Sequence, residues 1–203
     1  MKLQVKVCGM RESDNIKEIE KLPISFMGFI FHEPSPRYVS RIPSYLPQTM
    51  KRVGVFVNST ATSIKEIAEQ YKLDYIQLHG DESPDFCTQL YSEGFQLIKA
   101  FRIKSENDLE LISAYEKSCD FFLFDAPTDK YGGSGQTFDW KLLSSYSGSK
   151  PFLLSGGIGI DTIESLLLFK HPQLMGYDLN SKFETYPGHK EYNLLQTFIN
   201  RMK

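Results

Sequence analysis

The chain lacks any arrangement of cysteines that would staple it together or hold a metal. Cys8, Cys87 and Cys119 are an odd number with no metal-ligand spacing, so neither a disulfide framework nor a zinc site is indicated. Long apolar runs are missing too. The most hydrophobic stretches, residues 24–31 and 166–169, fall far short of the roughly 20 residues that a bilayer-spanning helix requires. There is no excess of positive charge: 23 Lys and Arg against 25 Asp and Glu give a net charge of -2, which argues against nucleic acid as a partner. Met1-Lys2-Leu3 leads into a strand and not into a signal sequence, and no linker or low-complexity tract interrupts the chain. These absences lead to the expectation of a cytoplasmic protein that binds neither membrane nor nucleic acid.

What is present is an ordinary globular composition, 41% hydrophobic and 24% charged over 203 residues, enough for one sizeable core and a single domain, 1–203. One unit recurs along it: a short β-rich run, a polar or Gly-containing loop, then an amphipathic stretch. Eight strands are expected, at residues 3–7, 24–31, 52–57, 75–78, 96–101, 121–125, 151–154 and 175–178. Helical period and helix-start signals follow Ser13-Asp14, Ser63 and Ser83-Pro84, and continue at 105–115, 138–146, 161–169 and 191–202. After the second strand, 38–48 carries Pro43 and Pro47 and is expected to form only a short or distorted helix. Alternating strands and helices imply parallel strands with right-handed crossovers. Eight units in 203 residues leave about 25 each, which fits a compact (β/α)8 TIM barrel, with a doubly wound open sheet as the alternative.

The two-residue period of a strand sorts side chains by direction. Lys6 and Cys8 share the inward face of the first strand, opposite Val5 and Val7, and Asp125 shares the inward face of the sixth with Leu123. Gln77 and His79 lie opposite Ile76 and Leu78, and Asp178 lies opposite Tyr177. Polar groups from separate strands thus converge at the carboxyl end of the barrel, where enzymes of this fold keep their chemistry. A thiol that can take a proton from carbon and a carboxyl that can give one, each at a strand terminus, are what an isomerase that opens a sugar ring needs. Each residue also has a plainer reading. A free cysteine is commonly a small buried hydrophobe, and a strand-end Asp commonly caps a turn.

Read in order, Lys6-Val7-Cys8-Gly9-Met10, Ser35-Pro36-Arg37-Tyr38-Val39, Val53-Gly54-Val55-Phe56-Val57-Asn58, Gln77-Leu78-His79-Gly80, Asp125 with Gly132-Gly133-Ser134-Gly135, Ser155-Gly156-Gly157-Ile158, and Asp178 with Ser181, Glu184, Gly188 and Lys190 form a pattern. Over essentially its whole length the chain resembles the phosphoribosylanthranilate isomerases of tryptophan biosynthesis. The resemblance implies an Amadori rearrangement of a small phosphosugar substrate, without a cofactor, by a monomer or homodimer.

It also implies roles. Asp125 is the acid that protonates the ring oxygen, and Cys8 the base that takes the C2 proton. A free thiol titrates at about 8.5, so Lys6 is expected to raise the thiolate fraction, while burial above the apolar core is expected to raise the pKa of Asp125. Backbone N–H groups of residues 156–159, at Gly156 and Gly157, and of Asn180 and Ser181 are expected to hold the phosphate. Arg37 is expected to fork onto the anthranilate carboxylate. Gly133 and His79 join the substrate-binding set without a firm role, and Asp178 orients a sugar hydroxyl or Lys6, or is a purely structural ion pair. Where the family reads Ser-Gly-Val-Glu this chain has Ser181-Lys182-Phe183-Glu184, so Lys182 is expected either to bring its ammonium to the phosphate or to point to solvent. The rival readings are a related aminoaldose isomerase, whose base is a carboxylate where this chain has Cys8, an inactive phosphosugar-binding barrel, and a nucleotide-binding module suggested by residues 132–137, which lack a P-loop lysine.

Overall fold

A computed structural model describes residues 3–125 and 140–203. Eight parallel strands close into a barrel in sequence order: β1 Gln4–Cys8, β2 Phe26–Ile30, β3 Lys51–Phe56, β4 Tyr75–Leu78, β5 Leu97–Arg102, β6 Phe121–Asp125, β7 Phe152–Ser155 and β8 Leu174–Leu179. The ring is closed by β1 on β8, with Lys6 opposite Asp178. The expected barrel and all eight strands are present, and the open sheet is excluded. Strand alternation sets up two apolar layers. Phe26, Val53, Ile98, Ala100, Phe121, Leu123 and Leu153 fill the inside. Val5, Val7, Ile76, Leu78, Phe122, Phe124 and Tyr177 face the surrounding helices. The inward assignments of Leu123 and the outward ones of Phe122 and Phe124 are therefore as expected.

The helices are α1 Ser13–Ile19, α2 Ala61–Tyr71, α3 Pro84–Ser92, α4 Glu106–Glu110, α5 Ile163–Leu168 and α6 Tyr192–Arg201. Among the described residues no helix is long and apolar enough to cross a membrane. Helix α3 starts where Ser83-Pro84 signals, with Ser83 Oγ accepting the Phe86 N–H at 3.2 Å. Helix α2 starts earlier than Ser63 suggests, because Thr60 takes the cap by accepting the Ser63 N–H. The expected helix over 105–115 divides into α4 and a 3₁₀ turn, Leu111–Tyr115.

No helix forms over 38–48. Two prolines remove N–H donors there, and the Glu20 carboxylate of the α1 loop instead collects the N–H groups of Gln48 and Thr49 and the Tyr45 hydroxyl. Past β8 lie a 3₁₀ turn, Ser181–Phe183, and a small antiparallel hairpin, β9 Glu184–Tyr186 with β10 His189–Lys190, which the sequence pattern does not announce.

Candidate active site

The carboxyl ends of β1, β4, β6 and β8 bring the inward-facing polar residues together. Lys6 and Asp178, on paired strands, meet in an ion pair of 2.9 Å with both side chains buried. Burial works against the Lys6 ammonium, but Asp178 and then Cys8 outweigh it and hold its pKa above that of an ordinary lysine.

Cys8 is buried at the end of β1. Room for its thiol comes from Gly28 on β2, since a Cβ there would stand 2.9 Å from Sγ and 3.2 Å from the Cys8 Cα. This role of Gly28 is illegible in sequence, where it is one more glycine in an apolar run. Burial pushes the Cys8 thiol up; Lys6 opposes that most strongly, Asp178 adds to it, and Lys190 opposes it. Lys6 thus acts on the thiolate fraction in the expected direction, and desolvation exceeds it.

On β4 and the residue after it, Gln77 Nε2 lies 2.9 Å from His79 Nδ1, and His79 Nε2 lies 3.3 Å from Asp125 Oδ2. With the Gln77 amide donating, Nδ1 is the acceptor and Nε2–H is aimed at the carboxylate. His79 is therefore in contact with Asp125. The deep burial expected for Asp125 is not what the fold supplies, because the side chain stays 28% exposed at the mouth of the barrel.

Arg37 is turned onto a protein carboxylate. Its Nε lies 2.9 and 3.0 Å from the two Glu184 oxygens, and its Nη2 lies 2.6 Å from Oε2. Glu184 also accepts from Lys190 Nζ at 2.6 Å, and that ammonium donates to Asn180 Oδ1 at 2.8 Å. Glu184 and Lys190 carried no role in the sequence reading. The available signal was two opposite charges six residues apart around a glycine turn.

Gly156 and Gly157 follow β7 directly with φ of +86° and +64°, a conformation that side chains resist. Among the described residues the N–H groups of Gly157 and Ser181 have no acceptor in the protein. Gly159 is different from the expectation for 156–159: its N–H is taken by Thr162 Oγ1 at 3.0 Å. Lys182 sits in the 3₁₀ turn without positive φ, half exposed, with its ammonium 3.5 Å from Asp161, so the glycine-like conformation is not demanded there and the charge is partly spent. Gly133 lies outside the described residues.

The sequence model of N-(5'-phosphoribosyl)anthranilate isomerase matches residues 5–201. The corresponding isomerase of Phocaeicola vulgatus is 49% identical over 199 residues, covering 98% of this chain and 97% of the relative. The phosphoribosyl anthranilate isomerase structure from Thermotoga maritima superposes with a TM-score of 0.86 at 32% identity, over 99% of this chain and 98% of that one. A phosphoribosyl anthranilate isomerase solved with reduced 1-(o-carboxyphenylamino)-1-deoxyribulose 5-phosphate superposes at 0.84, with 28% identity and the same coverage. With a thiol, a carboxyl and a glycine cup at the carboxyl end of a closed eightfold barrel, and with matches that run nearly end to end, this chain belongs to the phosphoribosylanthranilate isomerase family.

Proposed function

We propose that Cys8 and Asp125 carry the Amadori rearrangement of N-(5-phosphoribosyl)anthranilate to 1-(2-carboxyphenylamino)-1-deoxyribulose 5-phosphate, the isomerisation step of tryptophan biosynthesis. The observation that supports this most directly is the division of the barrel mouth: a thiol beside two buried ammoniums on one side, and a histidine-backed carboxyl on the other. The carboxyl of Asp125 protonates the ring oxygen as the C1–O bond breaks and the nitrogen lone pair forms the C1=N bond. The Cys8 thiolate then removes the C2 proton, and the C2–H electron pair returns to nitrogen through a new C1=C2 bond. The resulting enolamine tautomerises to the ketone. With His79 Nε2–H on Oδ2, and with no partner for Oδ1 among the described residues, Oδ1 is the oxygen assigned to carry the transferred proton.

The phosphate is read onto the Gly156-Gly157 turn and the Ser181 N–H, and the anthranilate carboxylate onto the exposed edge of Arg37. Anthranilate fluorescence followed while the purified protein turns over freshly made phosphoribosylanthranilate tests the reading. A progressive change at protein-dependent rate is expected. A flat trace from folded protein overturns it in favour of an inactive phosphosugar-binding barrel.

A further inference from the structure

Resting on the reading of Arg37 as the carboxylate site, we infer that Lys190 is a positioning residue that leaves the charge of Arg37 unneutralised toward the substrate by sharing the carboxylate of Glu184. A one-to-one Arg–Glu pair is neutral and attracts a second carboxylate weakly. Glu184 is not bound by Arg37 alone, however. Lys190 Nζ stands 2.6 Å from Oε1, on the carboxylate whose Oε2 takes Arg37 Nη2 at 2.6 Å. Two cations on one anion leave a surplus of one positive charge.

Part of that surplus acts on the Cys8 thiol; toward the substrate carboxylate it is expressed at Arg37. Lys190 is fully buried, with its remaining contact to Asn180 Oδ1, and so cannot reach a ligand. Arg37 is 17% exposed, and among the described residues its Nη1 has no partner. The burial is built with care: Asn15 of α1 donates to the Lys190 carbonyl and accepts from its N–H, each at 2.8 Å. Desolvation pulls the Lys190 pKa below that of an ordinary lysine, with Glu184 opposing. An apolar side chain would fill the same space without that cost.

The test compares two ligands, the reduced product analogue and the same compound without its aromatic carboxylate. For Lys190→Met, Kd for the carboxylated ligand should rise about tenfold, the scale of one charge-assisted hydrogen bond, while Kd for the decarboxylated ligand shifts less than about twofold. Glu184→Gln should move the preference the other way, holding or increasing discrimination in favour of the carboxylated ligand, and carries the test by itself if Lys190→Met does not fold. Equal losses for both ligands in Lys190→Met, or discrimination that collapses in Glu184→Gln, would show that Lys190 merely closes the hairpin. Arg37→Ala separates the two readings. If it weakens both ligands alike, the carboxylate assignment of Arg37 itself fails; if it is selective while Lys190→Met is not, only the inference about Lys190 falls.

Discussion

Cys8 has to lose a proton before it can accept one from carbon, and the fold holds that proton more tightly than water does. Burial raises the thiol, and Lys6 and Lys190 recover part of the loss. The acid limb of kcat/KM should therefore rise through a pKa above the ordinary thiol value of about 8.5. Replacing the neutral pair by another, Lys6→Met with Asp178→Asn, removes the stronger of the opposing influences and should move that limb to higher pH. An unmoved limb would mean that Cys8 is not the group reported. Linkage gives the same residue a signature without substrate. Because its folded pKa is raised, its stabilising contribution is complete below the unfolded thiol pKa and is lost as pH climbs through the folded one. Thermal stability should decline above about pH 8.5, and Cys8→Ala should flatten part of that decline. Cys8→Ala should also lower kcat by ~10² or more on the scale of a general base. Asp125→Asn keeps shape without a transferable proton and should lower kcat similarly at unchanged unfolding midpoint. A variant that only unfolds more easily would return Asp125 to turn capping.

Elements differ in how plainly they are written in the sequence. The strands are short apolar runs buried on both faces, and their positions are fixed to within two residues by composition and alternation. The hairpin β9–β10 is not, because strands of three and two residues are too short to show a period. Its place is set by contacts that no local pattern encodes, above all the two-way grip of Asn15 on the Lys190 backbone across 175 positions. The same limit applies to Arg37. A guanidinium in a polar loop reads alike whether it meets solvent, ligand or the carboxylate of Glu184, which lies 147 positions away. The β4 loop that carries His79 has a comparable hidden support. Lys99, on the outer face of β5, is 3% exposed; it bonds the Gly80 carbonyl at 2.8 Å and pairs with equally buried Glu82 at 3.2 Å, while Glu82 accepts the N–H groups of Asn58 and Gly80. Lys99→Met leaves that carboxylate buried and unpaired, and should cost ~3–5 kcal/mol in urea unfolding. A loss under about 1 kcal/mol would show that backbone donors alone satisfy Glu82.

At the scale of the molecule, the barrel exists only if β1 and β8 meet, and closure is decided at the end opposite the chemistry. Gln4 faces Gly176 across that seam, and a Cβ on Gly176 would stand 1.9 Å from the Gln4 carbonyl oxygen and 2.8 Å from its backbone nitrogen. Both obstacles are main chain, which no rotamer can move aside. Immediately before Gly176 the β7–β8 register shifts between Phe152 and Leu153, so β8 has little slack with which to retreat. The sequence pattern makes the eightfold count legible and thereby the barrel, yet nothing in a strand of mixed residues marks which glycine closes the ring. Gly176→Ala should destabilise by about 3 kcal/mol or more, beyond ordinary overpacking because backbone and not side chain must give. Since the active site lies at the far ends of the strands, kcat of the fraction that remains folded should be little changed. Urea unfolding followed by circular dichroism, with activity normalised to folded protein, separates the two quantities. An unaltered midpoint would show that the β1–β8 seam can open by about an ångström without loss, and that closure is held by the helices and not by the strands.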